Sequence, residues 1–196
     1  RGTPTFEDAS LYIKLAGGVK DAVIAGHPGQ AHEAKPPADG SVALYQDSNG
    51  AKTWNKCQGY NTERRDYWRY PEGKTASFRG YKVWQRAGEE SKEIATGDQA
   101  IGTTFVKTPA GGLMLHLRDF WQQFPKGVEV FADGRVRLAL FPREYKVVHF
   151  LEDASAKGHQ VYLHFFAGEG SATEIFNHLA PWNRHTTPRP TALAHI

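Results

Sequence analysis

The sequence predicts an all-β fold, a large antiparallel β-sandwich with one short C-terminal helix. Four short runs alternate, at least in part, between apolar and polar or small residues, as strands with one buried face do, at residues 113–117, 128–131, 135–140 and 161–165. An Asp-Gly pair at residues 133–134 separates the second run from the third, which is a strong hairpin signal. Helical periodicity is scarce, and turn signals separate the predicted elements. This pattern favours a β-sandwich.

The first part of the chain predicts three strands. Residues 11–15 and 19–25 form the first two, and a Gly-Gly pair supplies the turn between them. Residues 26–40 are rich in Gly, Pro, His and Ala, which predicts a loop or a crossover. Residues 41–46 return to a strand pattern, and the Asp-Ser-Asn-Gly stretch at 47–50 predicts a turn.

The middle and end of the chain predict further strands and one helix. Residues 77–86 alternate again, with a bulge expected at Gly80, and shorter strands are expected within 88–98 and 100–106. A Ser-x-x-Glu capping box at 171–174 opens a helix over 171–180, which a following proline ends. The count is about nine to twelve strands. We therefore predict a sandwich over residues 1–168, followed by a helix and a Pro-rich segment over 169–196.

Composition limits the classes of function. The chain has 196 residues, 40% of them hydrophobic and 12% aromatic, which is enough for a sizeable core. The net charge of +3 is small and the basic residues are scattered, so nucleic acid is not an expected partner. No apolar run reaches the roughly 18–20 residues that span a bilayer, so no membrane partner is expected. Because the chain starts without a methionine and stops after a Pro-rich stretch, we expect it to be a piece of a longer protein.

No cofactor or metal is predicted. The chain has one cysteine, Cys57, which excludes an intrachain disulfide and a zinc site built from several thiolates. The nine histidines form no His-Glu-x-x-His motif, and there is no Gly-rich phosphate loop and no Gly-x-Ser-x-Gly elbow. Asp119 and Glu129 are conceivable as a pair of catalytic carboxylates, but surface salt bridges explain both more simply.

Aromatic residues and arginines gather in two places. Residues 54–70 have no clean period, which predicts a long ordered loop. The second place is an aromatic corner of Phe120, Trp121 and Phe124, and beside it lie His116, Arg118, Gln122 and Gln123. Aromatic rings stack on the apolar faces of sugars, and the guanidinium fork binds carboxylates bidentately, so together they suit an acidic sugar. The large aromatics of the corner are more simply explained as core, which is favoured for Phe120, Trp121 and Phe124. For the arginines and tyrosines of 54–70, ligand contact and a solvated loop stay equally open.

Several stretches in order resemble a known family. They are SVALYQDSNG at 41–50, Trp54, FRGY at 78–81, LRDFWQQFP at 117–125 and RLALFP at 137–142. Together they resemble the central domain of the exo-rhamnogalacturonan lyase and YetA-like polysaccharide-lyase family, over about residues 41–166. The resemblance implies a supersandwich-like central domain that lies between an N-terminal β-domain and a C-terminal α/α toroid of the same parent chain. It also implies a secreted or periplasmic protein.

The reaction that the resemblance implies is β-elimination at a uronic acid. A cation neutralises the sugar carboxylate, and a Tyr or His removes one proton while another protonates the leaving oxygen. Arg64 or Arg65 would be the neutralising group, and Tyr60, Tyr67 or His116 the base or acid. The residues expected to contact the substrate are Trp54, Asn61, Tyr70, Arg118, Trp121 and Gln122.

The sequence therefore predicts part of a polysaccharide lyase that acts on a rhamnogalacturonan-like acidic polysaccharide or oligosaccharide. The isolated chain is expected to be inactive if the cleft lies between domains. The alternative is a non-catalytic carbohydrate-binding or structural β-module.

Overall fold

A computed structural model describes residues 5–26, 30–52, 54, 76–145, 149–151 and 156–168. These residues contain strands and no helix. The strands are β1 Thr5–Phe6, β2 Ala9–Lys14, β3 Asp21–Ala25, β4 Ala31–Ala34, β5 Gly40–Gln46, β6 Tyr81–Ala87, β7 Glu90–Gly97, β8 Thr103–Thr108, β9 Gly111–Leu117, β10 Lys126–Phe131, β11 Arg135–Phe141, β12 His149–Phe150 and β13 Val161–Ala167. The helix predicted over 171–180 and nearly all of the loop predicted over 54–70 lie outside the described residues.

The strands form two large antiparallel sheets and one small one. The six-stranded sheet has the order β2-β11-β10-β5-β6-β7, and the five-stranded sheet has the order β13-β9-β8-β3-β4. β1 and β12 pair separately. The described part of the chain is therefore an all-β sandwich, as the sequence predicts.

The main core draws on both large sheets. In β5 the side chains of Val42 and Leu44 are buried in it, and β9 contributes alternate residues in the same way, as the period of two requires. Its fully buried aliphatic members include Ile24, Val42, Val83, Val106, Leu113, Leu115, Leu117, Val130, Val136 and Leu138. Their burial supplies the main favourable free energy of folding, at roughly 25 cal/mol per Å² of apolar surface.

The hairpin predicted from Asp133-Gly134 is confirmed. β10 and β11 pair from Gly127↔Ala139 to Val130↔Val136 around this turn. Gly134 has φ +92°, a backbone conformation that glycine adopts without steric cost.

Two local predictions are wrong. The region 26–40 is not only a loop, because it contains β4, which pairs with the edge of β3. β4 has the sequence AHEA and lacks β-branched and aromatic residues, so its extended conformation depends on its partner strand rather than on its own propensity. The strand predicted from residue 77 starts at Tyr81, and the irregular register lies between Val83 and Trp84 rather than at Gly80.

Residues 77–78, which precede β6, are held by the buried carboxylate of Asp47 rather than by strand pairing. Asp47 is fully buried and accepts hydrogen bonds from the backbone N–H groups of Ser77 (2.5 Å) and Phe78 (2.9 Å) and from the Tyr45 hydroxyl (2.7 Å). These bonds occupy the donors of residues 77–78, so a ladder cannot begin there.

The face of the six-stranded sheet opposite the core carries a buried ion network. Arg137 is 1% exposed, and its guanidinium donates to Asp8 Oδ1 (2.6 Å) and Glu144 Oε1 (2.7 Å). Glu129 is 5% exposed and lies between Arg137 (3.6 Å) and Arg86 (3.3 Å). A salt bridge therefore does explain Glu129, but it is a buried one that ties neighbouring strands together.

Candidate functional site

An open pocket forms where β9 ends and β13 begins. The two strands pair in register from Leu117↔Val161, and the Arg118 N–H extends the ladder by donating to the Gln160 carbonyl (3.0 Å). The turn after β9 and the segment before β13 are consequently held side by side, although they lie far apart in the sequence.

The turn after β9 is anchored by one aromatic side chain. Phe120 is 1% exposed and packs against Gly102, so the core prediction holds fully for it, whereas Trp121 and Phe124 are half-buried. Asp119 has φ +54°, a conformation that non-glycine residues seldom adopt, and its carbonyl accepts from the Gln123 N–H (2.8 Å). Asp119 lines the pocket, and backbone conformations of this kind are concentrated at functional sites.

The pocket, called here the Arg118 pocket, has a volume of about 310 Å³ and is open to solvent. Its lining residues are Arg118, Asp119, Gln123, Gly158, His159 and Gln160. The Arg118 guanidinium donates to Gln160 Oε1 (2.6 Å), and its Nε lies 3.7 Å from Asp119 Oδ2. An arginine beside two side-chain amides presents several donors and acceptors to a polar ligand.

Some polar atoms of this pocket have no hydrogen-bond partner in the described structure. They are Gln123 Oε1 and both ring nitrogens of His159. Burial, reinforced by the positive charges of Lys126 and Lys157, lowers the pKa of His159 to about 4. The ring is therefore neutral at pH 7 and offers one donor and one acceptor to a hydroxyl-rich ligand.

A comparison with protein families finds a match over the region that contains the turn after β9. Residues 52–137 match the model of the PcRGLX-like protein central beta sandwich domain. This part of the chain is similar to the PcRGLX-like central β-sandwich domain. The resemblance to rhamnogalacturonan lyase-like proteins is thereby confirmed at the level of the family and its fold. No curated protein matches the chain significantly.

The region that matches the family model runs from before β6 to the start of β11. It includes the turn that carries Arg118 and Gln123, whereas the wall with His159 and Gln160 follows it in the chain. Among the described residues, the His, Cys, Asp and Glu side chains form no group of three or more that could hold a metal ion. Nor does the described part of the chain contain a helix long and apolar enough to span a membrane.

Of the site residues predicted from the sequence, one lines the Arg118 pocket. Arg118 does so, whereas Trp121 is half-buried, Gln122 is exposed, and neither is part of the lining. Trp54 is half-buried at a turn in which its N–H donates to the Ala51 carbonyl (3.1 Å). Six further predicted residues lie outside the described part of the chain, namely Tyr60, Asn61, Arg64, Arg65, Tyr67 and Tyr70.

His116, predicted as base or acid, lies on β9 and is 6% exposed. Its Nδ1 is 2.9 Å from Thr103 Oγ1, and its ring is 6.0 Å from that of Tyr162. Burial lowers the pKa of His116 to about 4, although the charge of Asp119 opposes the shift. At neutral pH the ring is uncharged, and it does not line the pocket.

The lowered pKa of His116 predicts acid sensitivity of the fold. The unfolded chain binds this proton near pH 6.5 and the native state only near pH 4, so the stability that the group contributes is full above 6.5 and is lost as the pH falls toward 4. Between pH 7 and pH 5 this group alone is expected to lower the free energy of unfolding by about 2 kcal/mol.

Urea denaturation of the wild type and of His116→Gln at both pH values measures this contribution. The loss of stability between pH 7 and pH 5 should be about 2 kcal/mol smaller in the variant, because its side chain does not titrate. The other histidines titrate in both proteins and cancel in the comparison. Equal pH dependence of the two proteins would contradict the prediction.

Sequence reasoning missed the wall of the pocket that Gly158, His159 and Gln160 form. No local pattern links residues 158–160 to the turn after β9. The signal would have been the pairing of β13 with β9, which depends on tertiary contacts.

Proposed function

We propose that the chain belongs to a secreted or periplasmic polysaccharide lyase that cleaves a rhamnogalacturonan-like glycan by β-elimination. Within it, the Arg118 pocket would bind an acidic sugar. The observation that carries this proposal is the position of Arg118 in an open pocket, between side-chain amides, in a region that matches the family model.

The chemistry of the pocket suits a uronate. A guanidinium binds a carboxylate through two parallel charge-assisted hydrogen bonds, and the amides of Gln123 and Gln160 can both donate to and accept from sugar hydroxyls. Asp119 and the neutral His159 add further acceptors. Its volume of about 310 Å³ matches one or two sugar units rather than a long chain segment.

The proposed reaction requires a cation, a base and an acid. The cation lowers the cost of removing the proton from C5. The electrons of the C5–H bond form the C4–C5 double bond as the C4–O4 bond breaks. The leaving oxygen then takes up a proton. Arg64 or Arg65 stays proposed as the cation, and Tyr60 or Tyr67 as the base or acid. Arg118 is assigned to substrate binding.

A non-catalytic sugar-binding module is the second candidate. The burial of His116 favours it, because a side chain that is 6% exposed and bonded to Thr103 cannot reach a substrate proton without rearrangement. In this case the chain would bind acidic sugars but would not cleave them.

Substitution of Arg118 tests the proposal. Arg118→Ala should weaken the binding of galacturonate-containing oligosaccharides about 10-fold to 100-fold, because a charge-assisted hydrogen bond contributes about 1.5–3 kcal/mol. Calorimetric titration measures the affinity. The matched control is Arg135→Ala, which removes an exposed arginine on β11 that does not line the pocket. Equal affinity in the wild type and Arg118→Ala would exclude this pocket as the sugar site.

An absorbance assay separates the two candidates. A lyase produces an unsaturated uronate, which absorbs in the ultraviolet, whereas a binding module does not. The assay should be run with the chain alone and with the parent protein that carries it. Binding without ultraviolet product in either sample would support the module and reject the lyase.

A further inference from the structure

A basic cluster surrounds the ring of Phe141 beside the Arg118 pocket. The ammonium groups of Lys126 and Lys157 lie 5.3 and 5.2 Å from the centre of this ring. The rings of His149 and His159 contact it edge-on at 5.3 and 5.5 Å. These four residues with Phe141 are called the Phe141 cluster, and His159 belongs both to it and to the pocket.

The buried lysine of the cluster has no acidic partner among the described residues. Lys126 is inaccessible to solvent, and its Nζ donates to the carbonyls of Leu140 (2.6 Å) and Pro125 (3.1 Å). It also lies within hydrogen-bonding contact of the Lys157 side chain. The carboxylate whose charge reaches the cluster is that of Asp8, which favours the protonated form of His149. Asp8 is itself bound by Arg137 (2.6 Å).

The charges of the cluster are poorly balanced as a result. Burial first, and then the neighbouring Lys157, lowers the pKa of Lys126 to about 7. Burial also lowers the pKa values of Lys157 and His149. An ammonium that has lost its water and faces a second ammonium is stabilised by an anion placed against both.

We propose that the Phe141 cluster is a binding site for a carboxylate group, entered from solvent at Lys157. Lys157 is exposed as a residue, whereas Lys126 is buried behind it, so the ligand would contact Lys157 and feel the charge of both. The two neutral histidines would accept or donate one hydrogen bond each. Because His159 is shared, the two sites are adjacent, and an oligosaccharide with two acidic units would place one carboxylate at Arg118 and another in the cluster.

This inference rests on the proposed function for the kind of ligand, an acidic sugar, and not for the cleavage reaction. A carboxylate has two sources, a uronate or a free organic acid. Galacturonate, galactose and acetate distinguish them, since galactose lacks the carboxylate and acetate lacks the sugar.

Proton uptake is the signature of this site. At pH 8 Lys126 is mostly neutral, and an anion beside it raises its affinity for a proton. Binding of galacturonate should therefore take up close to one proton at pH 8, about 0.5–1 per ligand, and should weaken as the pH rises from 7 to 9. The surrounding titratable groups are His149, Lys157 and His159, with Asp8 beyond them.

The experiment is calorimetric titration at pH 8 in two buffers with different ionisation enthalpies, on the full chain. The wild type should bind galacturonate at least about 10-fold more tightly than galactose, with proton uptake. Lys157→Gln should lose about 10-fold in affinity, because it removes the ammonium that contacts the ligand. Its proton uptake should be smaller than that of the wild type, because one cause of the lowered pKa of Lys126 is removed while its burial stays. Lys14→Gln, which removes a lysine with 60% side-chain exposure, is the matched control and should behave as the wild type.

The outcomes decide the proposal. Binding of galacturonate without proton uptake, or with equal affinity in Lys157→Gln, would overturn the carboxylate site. Acetate that binds as tightly as galacturonate, with the same uptake, would support the carboxylate site and reject the sugar as its source. Failure of the ultraviolet assay alone would reject the lyase and leave this site in place.

Discussion

Arg137→Met is expected to lower the free energy of unfolding by about 3–5 kcal/mol, because it removes one partner of a buried ion network. The side chain is 1% exposed, and its guanidinium bonds to Asp8 and Glu144 at 2.6 and 2.7 Å. Methionine fills part of the volume but leaves Glu129 buried with only one arginine near it. Urea denaturation at pH 7 measures the loss.

Arg135→Met is the matched control on the same strand. Its partner is Asp133 at 2.8 Å, and both side chains are about half-exposed, at 52% and 50%. An exposed pair of this kind contributes at most about 1 kcal/mol. If the two substitutions cost the same, burial of the network would not be the source of its contribution.

Gly102→Ala has the second largest expected effect. Gly102 has φ +76°, and an added Cβ would overlap the Phe120 side chain, with Cγ at 2.6 Å. The left-handed backbone costs about 1–2 kcal/mol for alanine, and displacement of a well-packed aromatic costs about 1–3 kcal/mol more. We therefore expect a loss of about 2–5 kcal/mol, together with weaker sugar binding, because Phe120 anchors the turn that carries Arg118.

Gly88→Ala separates the two contributions. Gly88 also has a positive φ, +59°, but nothing lies within 4 Å of an added Cβ. It should lose only the backbone part, about 1–2 kcal/mol, and should keep its affinity for sugar. Equal losses for the two glycines in denaturation would show that Phe120 can move aside without cost.

The parts of the fold that were predictable are those that depend on neighbouring residues. The Asp133-Gly134 turn and its two flanking strands are encoded within a short stretch, so their pairing could be inferred from alternation and turn chemistry. β4 was missed because its small and polar residues form a strand only against β3. The two-residue strands β1 and β12 were missed for the same reason, since each depends on the other.

Only one wall of the candidate site, the turn after β9, could be predicted from the sequence. Arg118 was singled out because arginine beside aromatics suits an acidic sugar, and it does line the pocket. His159 and the Lys126–Lys157 pair were not recognised as parts of a site. Their proximity follows from the pairing of strands distant in sequence, and the shift in the pKa of Lys126 follows from burial that no local pattern reveals.

The pairing of β13 with β9 has a thermodynamic consequence. Among the described residues, β13 is a terminal strand of its sheet and pairs with β9 alone. Residues 158–160 precede it directly, so this edge strand carries one wall of the pocket. Such edges open at a lower free-energy cost than central strands. A molecule that spans both walls binds only when this strand is docked, and it therefore strengthens the docking by RT ln(1 + [L]/Kd). Ligand binding in the Arg118 pocket and the pairing of β13 with β9 are therefore thermodynamically coupled, so each one favours the other.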